Sequence, residues 1–149
     1  MATLNELIDK LNEDLSREYS HMHFYIHAAA TVTGLHREEY QELFMKEAAD
    51  EMGHVHEFGK LILGLGGQPN PVVAPFFHAH NPDPKTLIQE AIKMEEEVVA
   101  NYVQRMDDAE ELEKNGGIDK VHGRWVHIFL EDQIIDSRQT VDQFREILK

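Results

Sequence analysis

Four stretches of this sequence place apolar residues at alternating steps of four and three, each over about 28 to 30 residues. That spacing keeps one stripe of a helix turned towards a neighbour, so the chain is restricted to long packed helices. The first seam reads Leu4, Ile8, Leu11, Leu15, Glu18, Met22, Tyr25, Ala29, Val32, and the second Tyr40, Phe44, Glu47, Glu51, His54, Phe58, Leu61, Leu65. The third reads Ile88, Ala91, Glu95, Val98, Tyr102, Met106, Ala109, Leu112, and the fourth His122, Val126, Phe129, Gln133, Asp136, Thr140, Phe144, Ile147. Thr3 with Glu6 forms a capping box, and Thr33-Gly34 ends the first helix. Gly64, Gly66 and Gly67 stop the second helix, and Asp83-Pro84 starts the third as N-cap plus proline. Asn115-Gly116-Gly117 closes the third helix, and Asp119 caps the fourth. Between helices two and three, residues 66–83 and their immediate edge gather Pro69, Pro71, Pro75, Pro82 and Pro84 beside Val72, Val73, Phe76 and Phe77. Such a stretch is too long and too apolar for a tight turn. It predicts an ordered crossover that lets helices two and three run parallel. The expected fold is an all-α four-helix bundle, one domain over residues 1–149, with connections short, long, short and no clear fifth helix.

Charge narrows the partners. The 149 residues carry 28 acidic and 14 basic side chains, a formal net charge of -14. Nucleic acid and anionic membranes are therefore not expected as partners. The absence of cysteine excludes disulfides, thiolate zinc sites and thiol catalysis, and it fits a cytoplasmic location. No secretory leader and no membrane-length apolar run is evident. The loop histidines His78 and His80 read as exposed side chains.

The seams are interrupted near mid-helix by Glu18, by Glu47, Glu51 and His54, by Glu95, and by Gln133 and Asp136. A carboxylate inside a bundle changes protonation, finds a cation or binds metal. The seams contain no lysine, and Arg105 lies only at a seam edge, so a metal is the better explanation. One Glu from each of two helices plus a Glu-x-x-His pair from each of the other two is the ligand pattern of di-iron carboxylate bundles. Glu18 and Glu95 are the lone ligands here. Glu51 and His54 form a complete pair, and Gln133 and Asp136 a variant one. Glu18, Glu51, Glu95 and Asp136 together match the charge of two divalent ions. Hard oxygen ligands with few imidazoles favour ferric over ferrous iron, so the site should oxidise Fe(II).

With these residues in place, nearly the whole sequence resembles the ferritin-like superfamily, above all bacterioferritin and bacterial non-haem ferritin. The carriers are Glu18 with Tyr25, Glu47, Glu51-Met52-Gly53-His54, the run from Ala91 to Glu95 with Tyr102, and Glu131-Asp132-Gln133-Ile134-Ile135-Asp136. The resemblance implies a ferroxidase centre at Glu18, Glu51, His54, Glu95, Gln133 and Asp136, with Glu47 secondary and Tyr25 beside the metals. It implies an iron-storage or detoxification ferritin that oxidises Fe(II) with dioxygen or hydrogen peroxide. It also implies a homo-oligomer, a dimer at least, with a 24-subunit cage as the shell such members build.

Two departures bear on this. Gln133 and Asp136 replace the Glu-x-x-His pair of bacterioferritin, so one metal should be held more weakly and pass more readily to a mineral. Shell-forming members usually carry a short fifth helix, and this sequence ends just past the fourth seam. Met52 stands where bacterioferritin has its haem-ligating methionine, so haem b is the lesser cofactor alternative. The competing functions are a non-storage, rubrerythrin-like oxidase or peroxidase acting as a dimer, and a self-assembling metal-binding protein with an impaired centre.

Overall fold

A computed structural model of the protein describes residues 3–149. The capping residues start the helices where the sequence predicts. Thr3 accepts a hydrogen bond from the Glu6 amide at 3.2 Å and opens α1 (Leu4–Thr31). Asp83 accepts from the Thr86 amide at 2.8 Å and opens α3 (Pro84–Asn115), with proline first. Asp119 accepts from the His122 amide at 3.0 Å and opens α4 (Lys120–Ile147). α2 (Arg37–Gly64) has no side-chain cap. The Arg37 guanidinium instead bonds the Val32 and Ala30 carbonyls at 2.8 and 3.1 Å, tying the start of α2 to the end of α1.

The glycines act at helix ends, with one shift. α1 ends at Thr31 with Val32 as its cap, short of the predicted Thr33-Gly34, and Gly34 (φ +111°) makes the turn after it. At the end of α2, Gly66 (φ +90°) bonds the Leu63 carbonyl and Gly67 the Ile62 carbonyl. Those two bonds satisfy carbonyls that the helix leaves free, and only glycine enters the left-handed conformation at no steric cost.

Residues 66–83 form the ordered crossover that the sequence predicts. Asn12 donates to the Gln68 carbonyl and accepts from the Asn70 amide. Further along α1, the Ala74 amide reaches the Ser16 carbonyl, Ser20 donates to the Ala74 carbonyl, and the Thr33 amide reaches Pro82. The crossover thus climbs α1 from its first turns to its end. α3 consequently starts at the end of the bundle where α2 starts, and the two run parallel. α1 lies along α2 and α3 along α4, closing four helices into a bundle.

The core divides in two. One apolar cluster gathers Leu7, Leu11, Leu15, Phe58, Leu61 and Leu130; the other gathers Phe24, Tyr25, Phe44, Ala91 and Phe144. On α1 the gap between them falls at Glu18 to His21. Fully burying a side chain of this size stabilises by roughly 1.5–3 kcal/mol, so two such clusters can hold a costly polar layer between them. The fourth seam frays at its end, where Ile147 is 38 % exposed. Among the described residues, no helix is long and apolar enough to cross a membrane.

Candidate metal centre

The polar layer collects side chains from all four helices. Glu18, Glu47, Glu51, Glu95 and Gln133 are buried, His54 is partly buried, and the Asp136 side chain is 45 % exposed. Two ligand clusters form. In one, a carboxylate oxygen of Glu18, one of Glu51 and a ring nitrogen of His54 lie within 4.8 Å of one another. In the other, a ring nitrogen of His21 and carboxylate oxygens of Glu51 and Glu95 do the same. Glu51 belongs to both, the position a bridging carboxylate requires.

The remaining predicted residues lie around these clusters. The His54 Nδ1 faces Glu51 at 3.2 Å and Glu18 at 3.6 Å, while its Nε2 meets Asp136 at 3.0 Å. Asp136 therefore stands behind the imidazole, where a carboxylate fixes ring orientation and raises ligand basicity. Gln133 is buried but stands in neither cluster. Glu47 also stands outside both, with Thr140 Oγ1 at 3.5 Å. Tyr25 donates to Glu95 Oε1 at 3.1 Å, Ser137 donates to Glu95 Oε2 at 2.6 Å, and Tyr102 donates to Glu18. Met52 is 63 % exposed and points away from the layer.

Ser137 and His21 are additions to the predicted set. Glu18-Tyr19-Ser20-His21 is a second Glu-x-x-His spacing. The apolar series passes over it by stepping to Met22, which is only partly buried, whereas His21 is 4 % exposed. The arginine that pairs with a buried acid inside the bundle lies outside this layer. Arg105 is buried and pairs with Asp14 through Nε at 3.0 Å and Nη2 at 3.3 Å.

The donor set suits a metal. Among the described residues, the buried side-chain polar atoms without a hydrogen-bond partner are Glu18 Oε2 and His21 Nδ1, one in each cluster. Leaving such an atom unpaired costs about 1–3 kcal/mol, so both atoms fit ligands held for an ion. Electrostatics agree. Burial, with Glu18 alongside, pushes the Glu51 carboxyl well up. Burial opposes ionisation of Glu18 too, but the neighbouring Glu51 carboxyl and His54 imidazolium hold it low, so of the two carboxyls Glu51 keeps the proton. His54 is pushed far up, since Asp136, Glu18 and Glu51 overcome its burial and keep it an imidazolium. Burial raises Glu95 to about 7 and lowers His21.

These protons stand where metal would bind, which gives two expected outcomes. Binding divalent ions should displace about two protons per subunit, one from His54 and one from the Glu18–Glu51 pair, read with a pH indicator in weak buffer. Without metal, the protein should lose stability as pH rises from about 5 to 8. Burial lifts Glu95 to about 7 when folded, above the ordinary carboxyl value of 4.5 that it has when unfolded, so the folded state holds the extra proton in that window. His54, raised on folding, has the same sign above its ordinary value of 6.5. Glu18 is ionised in both states there and adds no slope. Glu95 alone contributes on the order of 3 kcal/mol at the upper limit. Thermal melts at the two pH values check this, and saturating metal should flatten the difference. Ser137→Ala should weaken metal binding about 10- to 100-fold by removing the donor that holds Glu95 Oε2, with helix content unchanged by circular dichroism.

Comparison with known proteins identifies the family and the fold. No curated protein matches the chain. Among solved structures, a ferritin-like, diiron-carboxylate protein from Bacillus anthracis str. Ames is 30 % identical, covers 100 % of both chains and superposes with a TM-score of 0.86. The dodecameric thioferritin of Bacteroides fragilis is 18 % identical over 97 % of this chain and 85 % of its own, with a TM-score of 0.79. The bacterioferritin of Desulfovibrio desulfuricans, which has a diiron site, is 18 % identical over 97 % of this chain and 78 % of its own, with a TM-score of 0.78. The last two likenesses concern the fold. The family match, to the Ferritin-like domain, spans residues 8–149. The chain therefore belongs to the Ferritin-like domain family.

Proposed function

We propose that the protein is a ferroxidase that takes up ferrous iron, oxidises it and serves iron storage or detoxification. The observation that carries this reading is Glu51, whose carboxylate is common to two ligand clusters in the buried layer. Glu18 and His54 flank it on one side and Glu95 on the other, so these residues would hold two ions with Glu51 reaching both. Two ferrous ions each give up one electron, and dioxygen takes both with two protons and leaves as hydrogen peroxide. Glu18, Glu51 and Glu95 offset the added charge of the ferric products. Ser137 and Tyr25 hold the Glu95 carboxylate in place, and Tyr102 holds Glu18. The apolar clusters flank the layer on either side.

Self-association is part of the proposal. Val121, Trp125, Ile128 and Ile135 leave an exposed apolar row on α4, and Met45 and Met52 leave another on α2. Rows at these spacings suit burial against further copies of the chain. The test is to mix metal-free protein with ferrous iron under air and follow ferric absorbance. Formation faster than iron alone, in particles much larger than a dimer, supports storage. A dimer with the same activity points to the non-storage oxidase, and no acceleration over iron alone sinks the ferroxidase reading.

A further inference from the structure

We infer that His21, not the Gln133 and Asp136 pair, supplies the nitrogen ligand of the second metal position. This rests on the dinuclear reading above and deepens it. A ring nitrogen of His21 and oxygens of Glu51 and Glu95 lie within 4.8 Å of one another, the reach of one ion. The ring is 4 % exposed, and its Nδ1 is buried without a hydrogen-bond partner. A buried imidazole nitrogen with nothing to bond is rare, and a metal is the partner that the surrounding carboxylates can share with it.

The other candidates for this role are differently engaged. Asp136 is held by the outer nitrogen of His54 at 3.0 Å and is 45 % exposed at its side chain. Gln133 joins neither cluster. On α1, Glu18 and His21 stand three residues apart and share a helix face, as Glu51 and His54 do on α2. Each of these helices then contributes one carboxylate and one imidazole to the layer. The consequence is a reversal of the asymmetry expected from the sequence. Both positions gain an imidazole, so the second ion is retained rather than weakly held.

Zinc, which occupies such ligands without redox chemistry, tests this in the full chain. Zinc is titrated into wild type while NMR follows the isotope-labelled ring nitrogens of histidine. The inference expects His21 and His54 both to move to metal-bound shifts, at a stoichiometry of two ions per subunit. His21→Ala should weaken the second ion about 100-fold or more, leaving the His54 shift and the first ion in place. His21→Asn, closer in size and polarity, guards against a variant that fails to fold; it should show the same selective loss. If His21 stays at its free shift in wild type with two zinc ions bound, the inference is overturned and the dinuclear reading survives. If wild type binds no second ion at all, the dinuclear reading falls with it.

Discussion

Glu51→Ala is expected to bring iron oxidation down to the rate of iron alone. No other residue belongs to both ligand clusters, so its removal takes a ligand from each position at once. Losing a partner behind a metal ligand already costs about 10- to 100-fold in affinity or activity, and losing a shared ligand should exceed that. The same carboxyl is a burden without metal. It is buried beside Glu18 and pushed well above its ordinary value, with Glu95 adding to the repulsion. Glu51→Gln, which keeps the shape and needs no proton taken up to stay neutral, should therefore melt at a higher temperature than wild type when metal-free. With metal present the order should reverse. Stopped-flow absorbance and paired melts check the two halves, and a metal-free Glu51→Gln that is less stable than wild type would contradict the electrostatic account.

The largest loss of stability is expected from Arg105→Ala. Asp14 is fully buried, and Arg105 is its main counter-charge, with Arg17 more distant at 3.4 Å. Even so paired, burial lifts the Asp14 carboxyl to about 6. Taking away one partner of a buried ion pair typically costs about 3–5 kcal/mol, because the remaining charge is left uncompensated. Asp14 can escape that cost by binding a proton, so the deficit should shrink at pH 5 and be largest at pH 8. Replacing both residues, as Asp14→Leu with Arg105→Met, should recover most of the loss. Urea unfolding at the two pH values, with the single and double variants, measures it. Asp14 lies one helical turn before Glu18, so the pair also anchors the floor of the metal layer.

How much of this was legible in the sequence follows from what each residue's position costs. Carboxylates at apolar steps stand out, and Glu18, Glu47, Glu51 and Glu95 are all buried. The long crossover was legible too, because prolines beside valine and phenylalanine neither form a helix nor stay free in water. His21 was hidden by the period itself. A strict alternation of four and three drifts against the true helix, and from Glu18 it selects Met22 although His21 is the more buried neighbour. Asp14 was missed in the same way, lying beside Leu15 of the series. Gln133 and Asp136 stand out by their spacing, but spacing along one helix does not reveal that His54 on another helix presents its outer nitrogen to Asp136. Ser137 carries no charge and breaks no pattern, so its hold on Glu95 emerges only when α3 and α4 are brought together.

The central claim is that one carboxylate bridges two metal positions inside the bundle. Anomalous scattering from crystals soaked in ferrous iron tests it most directly. The account predicts two iron peaks per subunit, about 3.5–4 Å apart, with Glu51 between them, Glu18 and His54 at one and Glu95 at the other. A single peak, or peaks only at surface histidines such as His78 and His80, would contradict it.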